Sequence, residues 1–304
     1  MEQLTQCPIC ESSGFSEYLS CIDYTVSRET FKIVKCSSCS FLFTNPRPMQ
    51  DEIGKYYQSE DYISHSGTKK GFINSIYHLV RNYTIKKKFR IIEKYVSTDV
   101  SLLDIGSGTG EFLSYCKNKG WKAVGIEPSE TGREAAIKNY NLTIFPEQHL
   151  KELQPASFNV ITMWHVLEHV HELKNRLKQI KVLLKPDGYA FIAVPNHTSF
   201  DAERYNAFWA AYDLPRHLYH FDKESITKLF EQEQLSLVKT LPMKMDAFYV
   251  SMLSEKYKHG KTNYLSAVLT GLKSNMKAGG KAEKYSSVIY IFRKMENGEW
   301  IINN

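Results

Sequence analysis

Four cysteines stand in two pairs, Cys7-Pro8-Ile9-Cys10 and Cys36-Ser37-Ser38-Cys39. Each pair has the spacing that wraps a tight knuckle around one metal ion, and two knuckles complete a tetrahedral thiolate site of the kind Zn²⁺ prefers. Disulfides would need an oxidising compartment, and the pairing of two knuckles argues against redox chemistry. A second group is Gly106-Ser107-Gly108-Thr109-Gly110, with Asp104 before it and an acid, Glu127, one strand further on. Glycines permit positive φ and let a bound molecule approach bare backbone, and a helix starting there turns unpaired N–H groups toward it. The carboxylate of Glu127 can accept hydrogen bonds from both hydroxyls of a ribose. The remaining candidates for proton or metal chemistry are His165, Glu168 and His169 in WHVLEHV, and His217 and His220 in PRHLYHF.

The elements that must hold these residues follow from periodicity and turn chemistry. Leu102-Leu103-Asp104-Ile105 is a short apolar run, read as a buried parallel strand, and the glycines form a sharp turn into a helix over 111–119. A strand over 121–126 ends at Glu127. Ser129 caps a helix over 130–138, and strands over 142–145 and 158–163 follow. A helix over 171–184 ends at Lys185-Pro186-Asp187-Gly188, before a fifth strand over 189–194. Alternation of this kind predicts a doubly wound α/β domain whose ligands sit at the carboxyl ends of its strands. Asp222 caps a helix over 223–232, residues 236–253 read as a sixth strand and its extension, and 286–294 as a seventh strand antiparallel to it. The basic insert between them carries one amphipathic helix over 264–277, read as a solvated helix with one buried face, with contact to an anionic substrate, a membrane surface or a partner chain as the alternatives.

Upstream, the alternating segment between the cysteine pairs predicts a hairpin, so this region reads as a zinc ribbon that needs its metal to fold. Cys21 and Cys116 are expected to be ordinary buried thiols. Asn45-Pro46-Arg47-Pro48 breaks regular structure, and Tyr56, Tyr57 and Tyr62 follow as lid or docking residues. Apolar residues recur at helical spacing over 71–96. The lysine run within that stretch reads as a solvated face.

At 304 residues and 42% hydrophobic content, the chain can bury one large core plus an appendage. It shows no secretory signal and no apolar run of membrane-spanning length, so a cytoplasmic protein without a transmembrane segment is expected. A net charge of +6 allows a nucleic-acid partner without requiring one.

The glycine spacing is G-x-G-x-G, whereas dinucleotide folds favour G-x-G-x-x-G. With Asp104 before it and Glu127 after the next strand, it resembles the first motif of the class I S-adenosylmethionine (SAM) methyltransferases. The LEHV segment after the fourth strand resembles a box shared by the ubiquinone-pathway O-methyltransferases and many bacterial small-molecule methyltransferases. The KPDG turn, the cysteine ribbon, the NPRP turn and a P-x-H-x-x-x-F segment at Pro215–Phe221 agree with that group.

The resemblance implies a Rossmann-like, seven-stranded class I fold: a zinc ribbon over 1–48, a connector and helical segment over 49–98, and a methyltransferase domain over 99–304. That domain would carry inserts at 196–221 and 254–284. Asp104, Gly106, Gly108, Gly110, Glu127 and Trp164 would hold SAM, and Cys7, Cys10, Cys36 and Cys39 structural zinc. In the quinone enzymes the LEHV box begins with a glutamate linked to a divalent metal, where this chain has His165; His165, Glu168 and His169 either bind metal or cap and hydrogen-bond locally. His217 is the leading candidate general base, with His165, His220 and Tyr219 behind it; its alternative is to fasten the loop. The expected acceptor is a small molecule such as a sugar or a secondary-metabolite intermediate. An RNA methyltransferase and a non-catalytic SAM-binding protein are the other readings.

Overall fold

A computed structural model of the chain describes residues 1–58 and 72–294, with side chains of the first long helix from residue 79 onward. Tyr62 lies outside the described residues. Strands β1 (Phe15–Ile22), β2 (Thr30–Cys36) and β3 (Leu42–Thr44) form the expected hairpin and one further antiparallel strand. Helix α1 (Phe72–Ile92) leads to β4 (Ser101–Ile105), and α2 (Glu111–Asn118), β5 (Lys122–Ile126), α3 (Glu130–Tyr140) and β6 (Thr143–Phe145) follow. Next come β7 (Phe158–Trp164), α4 (Leu173–Leu183), β8 (Leu184–Pro195), α5 (Phe200–Tyr205) and β9 (Tyr219–His220). Helix α6 (Lys223–Glu231), β10 (Leu235–Pro242), α7 (Asp246–His259), α8 (Tyr264–Lys277) and β11 (Ser287–Lys294) complete the described chain.

Seven strands make one sheet in the order β10-β11-β8-β7-β4-β5-β6. All neighbours from β8 to β6 are parallel, and β11 runs antiparallel to both β8 and β10, as the final two strands were expected to. The strand order reverses between β4 and β7, which opens a crevice at their carboxyl ends. Local signals set several boundaries. Ser129 accepts from the Gly132 N–H to start α3, and Asp222 and Ser225 form a reciprocal capping box on α6. The Lys185–Gly188 turn is a bulge within β8: Phe158 pairs with Leu184 but Val160 with Tyr189, so the four turn residues are looped out.

Two segments differ from the sequence expectation. The extension of the sixth strand is helix α7, because Ala247, Val250, Ser251 and Ser254 bury one face at helical spacing. The second difference concerns β9, drawn from the insert after β8. It pairs with β3, Leu42 to His220 and Phe43 to Tyr219, and completes a four-stranded sheet with the cysteine hairpin. Ribbon and insert are further joined at Arg216, whose guanidinium donates to Asp23 in the ribbon (3.0 Å) and Asp213 in the insert (2.7 Å), all with little or no contact with water at the arginine and Asp23. Cys7, Ile9, Cys36, Phe41 and Phe43 share one apolar cluster with Leu218, Tyr219, Phe221 and Phe230, so the knuckles rest on the main core.

Candidate functional site

At the carboxyl end of β4 the backbone reverses through three glycines, all at positive φ: Gly106 (+76°), Gly108 (+55°) and Gly110 (+83°). They are not equivalent. A Cβ on Gly106 would fall 2.3 Å from Val166 Cγ2, and one on Gly110 would fall 2.6 Å from Leu142 Cδ1, so both are needed for packing. A Cβ on Gly108 would meet nothing within 4 Å. Gly108 is thus where the turn presents bare backbone to open space, the approach a ligand requires. Its N–H donates to Glu127 Oε2 (2.7 Å), and Glu127 Oε1 accepts from the Ser129 N–H (2.9 Å). The acid at the end of β5 is therefore fixed beside the glycine turn, and each oxygen keeps a lone pair for a ligand hydroxyl.

Asp104 is buried beneath this turn and accepts from Thr162 Oγ1 (2.5 Å). Burial pushes its carboxyl up to about 7, against the pull of that hydrogen bond and of the Lys88 cation. Lys88 comes from α1, where Ile85, Phe89 and Ile92 form the buried face. Its Nζ stands 4.4 Å from the centre of the Trp164 ring at the end of β7. Burial lowers its pKa while Asp104 and Asp246 raise it. Two buried polar atoms near the turn have no hydrogen-bond partner: Ser107 Oγ, which faces Gly125 of β5 beside Leu113 and Ile144, and Trp164 Nε1 at the carboxyl end of β7. The orphaned indole N–H at that end of the sheet fits a bound polar ligand such as SAM.

The segment after β7 builds the second half of the site. His165 sits at a φ of +58°, a conformation a non-glycine side chain adopts at a cost, with its N–H anchored on the Ala193 carbonyl. Its Nε2 lies 3.0 Å from Asp246 Oδ2 at the start of α7, and its Nδ1 3.4 Å from Glu168 Oε1. Burial works against the imidazolium, but the two carboxylates outweigh it and raise the His165 pKa to about 9. Glu168, at 0% exposure, has no hydrogen bond to either oxygen. Burial raises its pKa, yet His165 and the neighbouring imidazoles hold it below its ordinary value.

Glu168, His169 and His217 converge, with one ligand atom from each lying within 4.8 Å of the others. His217 Nδ1 donates to the Ala211 carbonyl (2.8 Å), which leaves Nε2 as its lone-pair nitrogen. His169 Nδ1 lies 3.0 Å from both the Arg216 carbonyl and the Tyr57 hydroxyl, so its lone pair is likewise on Nε2. Burial and the His217 charge lower the His169 pKa to about 4, against the pull of Glu168. Two imidazoles oriented by backbone carbonyls beside a carboxylate can hold a divalent cation or handle a proton. Glu168 and His169 of the trio His165, Glu168 and His169 share this cluster with His217, and His165 pairs with Glu168 at 3.4 Å.

The other sequence candidates lie further out. His220 is buried in β9 with Nε2 3.3 Å from Thr44 Oγ1 and its ring against Tyr212. Tyr219 receives a hydrogen bond from Arg47 and donates to the His171 carbonyl, joining the NPRP turn to the core. Tyr56 donates to Glu29 in the ribbon, and its neighbour Tyr57 reaches His169. Lys88 and Asp246 were not singled out from sequence. The spacing of Lys88 from Ile85 and Ile92 marks it as inward-facing, but Asp246 had no local signal.

In the ribbon the sulfurs of Cys7 and Cys39 are 3.6 Å apart and those of Cys10 and Cys36 3.5 Å. A disulfide would hold them at about 2.05 Å, whereas tetrahedral Zn–S bonds of about 2.3 Å separate sulfurs by about 3.8 Å. All four lie within 4.8 Å of one another, a cluster compatible with zinc. Cys21 and Cys116 are buried free thiols, as expected. Among the described residues, no helix is long and apolar enough to cross a membrane.

The family model for a methyltransferase domain matches residues 76–240. A ubiquinone biosynthesis O-methyltransferase of Rhodopseudomonas palustris (strain TIE-1) is 26% identical over 164 residues, covering 52% of this chain and 64% of that protein. The enzyme of the same name from Haemophilus ducreyi is 33% identical over 109 residues, covering 32% and 46%. The match thus spans less than two thirds of these relatives. In three dimensions, a SAM-dependent methyltransferase from Archaeoglobus fulgidus superposes with a TM-score of 0.50 at 20% identity, over 70% of this chain and 94% of that one, a likeness of fold.

Proposed function

The chain belongs to the methyltransferase domain family, whose model spans more than half of it, and on that premise we propose that it moves the methyl group of SAM to a hydroxyl of a small molecule. The bound sulfonium supplies an electrophilic methyl, so the protein's work is alignment and removal of one proton. Glu127 would accept hydrogen bonds from the two ribose hydroxyls, Gly108 would give the cofactor room against the backbone, and Trp164 Nε1 would donate to one of its polar atoms. Lys88, whose Nζ stands 4.4 Å from the centre of the Trp164 ring, would supply positive charge for the carboxylate of the methionine end.

The acceptor side is the cluster at Glu168. His217 Nε2 would take the hydroxyl proton as the acceptor oxygen receives the methyl group and S-adenosylhomocysteine leaves. Glu168 stabilises the resulting imidazolium. His165, held protonated by Asp246 and Glu168, keeps that carboxylate ionised and serves as charge partner. The single observation that carries this reading is Glu168 itself: a wholly buried carboxylate, ion-paired with His165 at 3.4 Å but without a well-formed hydrogen bond, beside a histidine whose far nitrogen is fixed by a carbonyl. Structural zinc in the cysteine cluster would hold the ribbon against the strand that carries the P-x-H segment.

The acceptor is proposed as a sugar or secondary-metabolite intermediate, in keeping with the O-methyltransferase names of the relatives. The test is labelled methyl transfer from SAM into small-molecule and RNA fractions of a cell extract, with the wild-type chain and His217→Asn. Label is expected in the small molecules. The variant should lose about 10²–10⁴-fold in rate while keeping its affinity for S-adenosylhomocysteine. Label in RNA, or an active His217→Asn, would overturn the proposal.

A further inference from the structure

Helix α8 is amphipathic, and the face it docks by is the one made of small residues. The residues it buries are small: Ala267, Thr270, Gly271 and Ser274. A Cβ on Gly271 would stand 2.7 Å from the Phe248 ring, so the helix lies close against α7. Ser274 Oγ donates to the buried Asp201 (2.6 Å) and Ser266 Oγ to Glu255 (2.6 Å), which pins the polar side inward. Outward go the large apolar residues, Tyr264, Leu265, Val268, Leu269, Leu272 and Met276, exposed by between 44% and 71%. At 3.6 residues per turn these six occupy an arc of roughly 140°. Ordinary folding energetics favour the reverse arrangement, large side chains in and small ones out.

The stretch of chain that carries this arc is predominantly cationic. Residues 256–284 contain seven lysines and a single acid, Glu283. Lys273 and Lys277 run along one border of the apolar arc, with Nζ over the Phe200 ring at 5.3 and 4.7 Å from its centre. A second copy docking through the same patch across a two-fold axis would bring lysine borders together. A surface that is apolar within and anionic at its rim matches both features, and that is the profile of a bilayer containing acidic lipids. We propose that α8 lies in the headgroup region of an anionic membrane, apolar arc down, and holds the protein there as a peripheral attachment.

The test is sedimentation of the full-length protein with vesicles of phosphatidylglycerol and phosphatidylcholine in equal parts, against pure phosphatidylcholine. The acidic vesicles should carry the protein down, the neutral ones should not, and binding should weaken as salt rises. Leu265→Ser/Leu269→Ser/Leu272→Ser removes apolar contact at about tenfold in partitioning per leucine. Lys273→Gln/Lys277→Gln removes about fivefold per lysine and leaves the buried Ala267, Thr270, Gly271 and Ser274 in place. Both variants should keep the wild-type circular dichroism and affinity for S-adenosylhomocysteine. Wild-type protein that ignores acidic vesicles would overturn the proposal, as would undiminished binding by the two variants. A dimer by light scattering that the triple variant dissolves, without vesicle binding, would assign the face to self-association instead.

Discussion

Replacing Gly106 by alanine tests whether the glycine turn and the LEHV segment are one mechanical unit. The backbone there is at φ +76°, where a Cβ costs about 1–2 kcal/mol in any surroundings. The new Cβ would also lie 2.3 Å from Val166 Cγ2 and 3.2 Å from Cγ1, and both methyls belong to a side chain packed against the core. Overpacking of that kind adds about 1–3 kcal/mol, so the expected loss is about 2–5 kcal/mol in a urea titration with unchanged m-value. Val166 lies between Trp164 and Glu168, so the displacement should also weaken S-adenosylhomocysteine binding measured by calorimetry. Two companions isolate the steric part. Gly108→Ala, with open space around its Cβ, should lose only the conformational part, about 1–2 kcal/mol. Val166→Ala combined with Gly106→Ala removes both clashing methyls and should recover cofactor binding. Equal destabilisation at positions 106 and 108, or no recovery in the double variant, would refute the reasoning.

Two further outcomes follow from the charges and the sulfurs. The folded-state pKa of His165 is raised from 6.5 to about 9, so its contribution to stability is complete below pH 6.5 and fades as pH rises toward 9; the Tm of the wild-type chain should fall across that window more steeply than that of His165→Gln, and parallel curves would contradict the ion-pair assignment. About one zinc per chain is expected by elemental analysis, lost with solubility in Cys36→Ser, and a soluble, active, metal-free variant would refute a structural role.

Much of the fold was legible because its signals are local. Glycine turn, cysteine knuckles, Ser129 and Asp222 caps and the 264–277 helix each act through neighbours a few residues away, where spacing alone defines the geometry. What was hidden depends on chain separation. The His165–Asp246 pair spans 81 residues, and nothing near Asp246 distinguishes it from any helix-start acid. His217 meets Glu168 because β9 joins the ribbon sheet, a pairing that two residues of strand cannot announce. Lys88 was concealed by company: among Lys86, Lys87 and Arg90 it reads as one more solvated charge, although its place between Ile85 and Ile92 turns it inward. The outward apolar face of α8 shows the converse limit, since amphipathic spacing states that two faces differ but not which one the fold buries.

The central claim is that the crevice beside Gly108 and Glu127 holds SAM, and isothermal titration with S-adenosylhomocysteine tests it most directly. Micromolar binding by the wild-type chain is predicted, with no heat from NADH and more than tenfold weaker binding in Glu127→Ala, since losing the ribose partner removes at least one charge-assisted hydrogen bond. No binding by the wild-type chain, or equal affinity in Glu127→Ala, would contradict the account.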